Sequence, residues 1–83
     1  RNLIQYKNPS HTMPKAGDII VFDGHLFNKF GHIAIISNVT DTEVEIIQQN
    51  TGTTTREIYK LSFKNDLWKI NNNSILGMLR KLN

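Results

Sequence analysis

No cysteine occurs among the 83 residues. That absence removes a disulfide scaffold, a thiolate zinc site and a cysteine nucleophile from what this chain can hold by itself. No apolar run approaches the roughly 18 residues that a membrane span needs, so no membrane partner is expected. Proline is scarce, with Pro9 and Pro14 alone, and helix signals are nearly absent. Low complexity is absent too: 39% hydrophobic and 20% charged residues make a globular composition, not a disordered tail. The length of 83 residues allows one small domain, 1–83, with a thin core. The chain opens on Arg1-Asn2-Leu3, neither an initiator Met nor a signal peptide, and the expectation is that it begins inside a longer protein.

Ten Lys and Arg against seven Asp and Glu give a net charge of +3. The basic residues are scattered from Arg1 to Lys81 without a stripe or interleaved aromatics. No nucleic-acid partner is therefore expected, and the charge reads as a soluble, mildly basic surface.

Residues 1–14 carry little periodicity and read as an extended lead-in or loop. After the turn Ala16-Gly17-Asp18, the β-branched run Ile19-Ile20-Val21-Phe22 reads as a buried strand. A loop from Asp23 to Gly31 leads to His32–Val39, a strand apolar on both faces and so central in a sheet. Thr40-Asp41-Thr42 turns the chain into a third strand, Glu43–Asn50. A polar loop over Thr51–Thr55 precedes a fourth strand, Arg56–Leu61; residues 62–74 read as a strand and a turn, and Ile75–Arg80 closes the sheet. The sum is an antiparallel sheet of about five or six strands, curled into a partial barrel. Such a sheet needs its apolar face covered, and no helix is on hand to cover it.

Among candidates for chemistry, the three histidines come first. His11, in the lead-in, reads as a solvated loop residue, and His25 as a surface or cleft residue. His32 opens an apolar strand, where a rigid sheet can aim an imidazole into a cleft, although taken alone the position favours a satisfied structural histidine. The amides Gln48-Gln49-Asn50 end the neighbouring strand. A hairpin symmetric about Asp41 sets Asn50 opposite His32 and Gln48 on the diagonal of the same face, within about 7–8 Å. A one-residue slip would exchange Gln49 onto that face. An amide carbonyl there can accept the imidazole N–H and fix its tautomer. Asp18 reads as a cap or turn residue at the strand start. Asp18, Asp23, His25 and His32 match no established metal spacing, so no metal is expected.

Pro14-Lys15-Ala16-Gly17-Asp18-Ile19, followed by Gly31-His32-Ile33-Ala34-Ile35-Ile36 and Gln48-Gln49-Asn50, resembles the CHAP family of cysteine, histidine-dependent amidohydrolases and peptidases. The resemblance covers about residues 13–80. Towards the C-terminus, Arg56, Tyr59, Leu61, Trp68 and Ile75-Leu76-Gly77-Met78 look most like the glutathionylspermidine amidase branch. The family implies a papain-like α+β fold, of which this chain would be mostly the antiparallel sheet, the C-terminal half without the N-terminal helical part. It implies His32 as catalytic histidine, Gln48 where the family usually has an orienting carboxylate, and Asn50 as a frequent asparagine of the same strand. Phe27 and Phe30, in the loop before His32, are candidate substrate contacts; filling the core is the other reading. The implied partner is a missing N-terminal segment carrying the catalytic cysteine, and the implied substrate a small peptide-type amide, cleaved without cofactor. A cell-wall hydrolase would be exported and a glutathionylspermidine amidase cytoplasmic. Two alternatives stand beside this reading: an inactive CHAP-like module binding peptide or wall fragments, and an unrelated small β-barrel interaction domain.

Overall fold

A computed structural model describes residues 2–23, 33–50 and 52–82, with side chains throughout except those of Ile33, Gln49 and Asn50. Seven strands are present: β1 (Leu3–Lys7), β2 (Ile19–Phe22), β3 (Ile33–Val39), β4 (Glu43–Asn50), β5 (Thr53–Lys64), β6 (Leu67–Ile70) and β7 (Ile75–Lys81). They form one antiparallel sheet in the order β1-β7-β2-β3-β4-β5-β6. Among the described residues there is no helix, and none therefore that could cross a membrane.

Three elements differ from the sequence expectation. The lead-in contains β1, an edge strand laid against β7 from Leu3↔Lys81 to Lys7↔Gly77. Thr53–Thr55 belong to β5, because β-branched threonines pair well against the amides of β4 (Asn50↔Thr53, Gln48↔Thr55) and Gly52, at φ +77°, makes the tight connection. The hairpin from β5 to β6 turns on Asn65 and Asp66, both at positive φ, a conformation whose twist matches the flanking strands.

The sheet curls. Ser10 pairs with Trp68 through two backbone hydrogen bonds of 2.9 and 2.7 Å, bringing the segment after β1 onto β6. Asn8 ties that junction together: its side-chain amide donates to the Ile70 and Ile75 carbonyls, and its Oδ1 accepts from the Ile70 N–H. Inside the curl lie Ile20, Ala34, Ile36, Val44, Ile46, Leu61, Ile70, Ile75 and Met78, with Tyr6, Met13, Phe22 and Trp68 packed at its margin. Period-two alternation produces this face: Val44, Ile46 and Gln48 point in, while Glu43 and Glu45 are on the other side.

The outer face is polar only in part. Leu79 pairs with Ile19, Ile19 with Ile35, and Ile35 with Ile47, so an apolar row crosses four adjacent strands. Ile35 is 42% exposed and Ile58 57%. The half-barrel fills its own interior and leaves this row uncovered.

At Gly77 the backbone of β1 lies close against β7. A Cβ built there would overlap the Tyr6 carbonyl oxygen, part of the backbone that cannot swing aside. Gly77→Ala is expected to destabilise the protein by about 1–3 kcal/mol. Hydrogen exchange should show β1 amides losing protection first; uniform loss across the sheet would place the strain elsewhere.

Ser37 makes a bulge in β3. Ile36 faces Ile46, but Asn38 faces Glu45, leaving Ser37 as the extra residue. Its hydroxyl donates to the Glu45 carboxylate at 2.8 Å. That bond, with the Arg56 guanidinium adding to it, holds the Glu45 carboxyl below its ordinary 4.5. A lowered value in the folded state means that the contribution is present above the ordinary value and lost as pH falls through the lowered one. Ser37→Ala should move the Glu45 titration upward and soften this acid limb, as read by carboxyl NMR. An unchanged titration would assign the effect to Arg56 alone.

Candidate functional site

The site expected from sequence centres on the β3–β4 ladder. Its register follows the symmetric hairpin: Ile33↔Gln49, Ala34↔Gln48, Ile35↔Ile47 and Ile36↔Ile46. The bulge at Ser37 absorbs one residue, and the turn closes with the Thr40 N–H on the Glu43 carbonyl at 2.9 Å. The slipped register, which would exchange Gln48 for Gln49 on the core face, is not adopted.

Gln48 is 8% exposed and sits on the core face between Ala34 of β3 and Thr55 of β5. A buried amide among aliphatic neighbours is costly unless its groups are satisfied, and Gln48 is not without a partner. The backbone of Asn50 ends β4 opposite Thr53. His32, His25, Phe27 and Phe30 lie outside the described residues. So does most of the loop from Asp23 to Gly31, whose first residue donates its N–H to the Ser74 carbonyl. His11 is exposed, and its Nδ1 is 2.9 Å from the Asp66 carbonyl, to which it donates.

Beside this ladder is a polar cluster that sequence reading saw only in part. Asp18, 1% exposed, closes its own turn by accepting the Lys15 N–H at 2.9 Å, the capping role its position suggested. Its larger role is an ion pair. Arg80 donates through Nε and Nη2 to the two carboxylate oxygens, both at 2.8 Å, and Nη2 also reaches the Met13 carbonyl at 2.9 Å. The guanidinium lies 5.1 Å from the Tyr6 ring centroid, a cation–π contact. Asp18's hydrogen bonds raise the Arg80 pKa further, keeping it charged. Asp18 and Arg80 are 62 positions apart in the chain, and no local signal links them.

The motif around Asp18 also fixes β3. The Gly17 N–H donates to the Ile36 carbonyl and the Ile36 N–H to the Asp18 carbonyl, at 2.8 and 2.9 Å. One carboxylate thus couples β7 to the strand that leads back toward position 32. Residues further along are structural: Leu61 and Met78 are buried, and Trp68 packs on the core with its ring 4.4 Å from that of Phe63. Among the described residues no three His, Cys, Asp or Glu are grouped to hold a metal ion.

A family model described as the CHAP domain matches residues 1–50, more than half of the chain. That span takes in the turn around Asp18, β3 and β4. No curated protein matches the chain.

Proposed function

The chain belongs to the CHAP-domain family, and from that premise we propose that it is the sheet half of a papain-like α+β amidohydrolase or peptidase that works through a cysteine supplied by an upstream segment. Family membership suggests amide or peptide hydrolysis. The observation that carries the rest is the β3–β4 register with Gln48 buried on the core face: it supports an imidazole at position 32 being held by an amide of the next strand. The uncovered row Leu79–Ile19–Ile35–Ile47 supports a further packed segment. Because Gln48 faces inward and that row outward, a cysteine serving this site has to enter at the rim of the core face, not across the row.

In this reading the cysteine thiolate attacks the amide carbon and a thioester forms as the C–N bond breaks. His32 gives its proton to the leaving amine, then takes one from the water that hydrolyses the thioester. Gln48 accepts the imidazole N–H and sets its tautomer, with Asn50 beside it. Phe27 and Phe30 contact the substrate. No metal or organic cofactor has a step. The substrate is a peptidoglycan peptide in an exported enzyme, or a glutathionylspermidine-type amide in a cytoplasmic one. The residues that resemble the second branch, Leu61, Trp68 and Met78 among them, build the core, so substrate choice has to be measured directly.

One observation favours a second reading, an inactive module that binds peptide or wall fragments: Gln48 is neutral and cannot stabilise an imidazolium by charge. Incubating the protein together with its upstream segment with both substrate types decides between them. Hydrolysis of either one that stops on thiol alkylation supports the enzyme. Binding without turnover supports the module, and neither overturns both.

A further inference from the structure

Away from that ladder, the β5–β6 hairpin presents a groove of about 300 Å³ on the outer side of the sheet, lined by Pro9, Ser62, Lys64, Leu67, Lys69 and Asn71. We propose that this groove binds a phosphate group.

The cross-strand pairs Ser62↔Lys69 and Lys64↔Leu67 put both lysines on one face as diagonal neighbours, about 7–8 Å apart at the backbone. Two ammonium groups on one face concentrate positive charge over the groove, a field that attracts an anion. Among the described residues the ion pairs are Arg56–Glu45 and Arg80–Asp18, and neither Lys64 nor Lys69 takes part. Lys60, on the same face of β5, differs in that a carboxylate residue, Glu43, stands directly across the ladder from it.

The donors suit phosphate. Lysine is a compact point charge with three rotatable N–H donors and serves a tetrahedral anion, whereas a planar carboxylate is matched by the arginine fork, which this groove lacks. The Ser62 hydroxyl stands directly across from Lys69 as a further donor. Leu67 and Pro9 form an apolar wall that strengthens the field of the two charges. The other basic recess, about 270 Å³ around Lys15, Gly17, Arg80 and Lys81, is a poorer candidate because its guanidinium is already committed to Asp18. From Thr55, opposite Gln48, to Lys64 the strand runs roughly 30 Å. The groove therefore lies at the far end of β5 from Gln48, as an anchoring site.

Free phosphate and a phosphodiester or polyphosphate chain share this chemistry, and the test separates them. Amide shifts of residues 62–71 are followed by ¹H–¹⁵N NMR in the protein at low ionic strength, with inorganic phosphate, linear polyphosphate and acetate as separate titrants. Saturable shifts with phosphate, weakened about tenfold in Lys64→Gln and again in Lys69→Gln, support the site. Equal affinity for polyphosphate, counted per phosphate, then identifies the free ion. Affinity at least tenfold higher, falling steeply with salt, identifies a chain. No saturable shift, equal shifts with acetate, or binding unchanged in both variants overturns the proposal.

Discussion

Replacing His32 by alanine, in a protein that includes the proposed upstream cysteine, is expected to lower amide hydrolysis by about 10³- to 10⁶-fold with little change in stability. The size follows from the proposed role: without the imidazole the thiol loses its base and the leaving amine its acid in one step. Gln48→Ala should cost far less, about tenfold, the scale of one orienting hydrogen bond. Gln48→Glu is the informative companion. A carboxylate at this 8% exposed position is costly unless the imidazolium pairs with it. If His32 faces Gln48, the pair raises the histidine pKa and shifts the acid limb of the kcat/KM profile upward. If the profile stays put while the protein is destabilised, His32 does not face Gln48 and the assignment of roles is wrong. A His32→Ala enzyme that retains most of its activity would dispose of the catalytic reading altogether.

The strands that frame this ladder were legible because their signals are local. Ile19–Phe22, Ile33–Val39 and Glu43–Asn50 are short β-branched runs bounded by turn residues, and past the bulge at Ser37 the ladder runs from Ile36↔Ile46 to Ile33↔Gln49 in the register symmetric about Asp41. What escaped depends on partners distant in sequence. Leu3–Lys7 has a half-buried alternation too short to stand out, and it becomes a strand only because β7 lies beside it. Asn8 reads as a loop amide until Ile70 and Ile75 are brought to it. The same holds for Asp18: its cap is local and was readable, its arginine is not. Of the candidate site, the register and the face of Gln48 could be derived. His32 is a candidate from its place before the apolar run Ile33–Ile36, and Phe27 and Phe30 from the loop that precedes it; the catalytic role of His32 rests on the family resemblance.

Asp18→Ala is expected to cost about 3–5 kcal/mol, because it strands a charge and does not merely delete a contact. The Asp18 side chain is 2% exposed and that of Arg80 21%, so water can replace little of what the carboxylate supplies to the guanidinium. A chain of this size has roughly 4–12 kcal/mol of stability in all, so the loss is a large share of the total and, at the low end of that range, brings the variant to its unfolding midpoint at room temperature. Urea denaturation measures the loss as a lowered midpoint. Removing both charges in Asp18→Leu/Arg80→Met should recover much of it, since a buried pair is often matched by apolar side chains of similar volume. Recovery will be incomplete, because Arg80 also binds the Met13 carbonyl and Asp18 the Lys15 N–H, and both backbone groups lose a partner. A loss below about 1 kcal/mol in Asp18→Ala would rank the pair with exposed surface bridges. That outcome would also remove the reason for an aspartate in this turn: the carboxylate joins β7 to the loop whose backbone holds Ile36, and through Ile36 it fixes the strand beside Gln48.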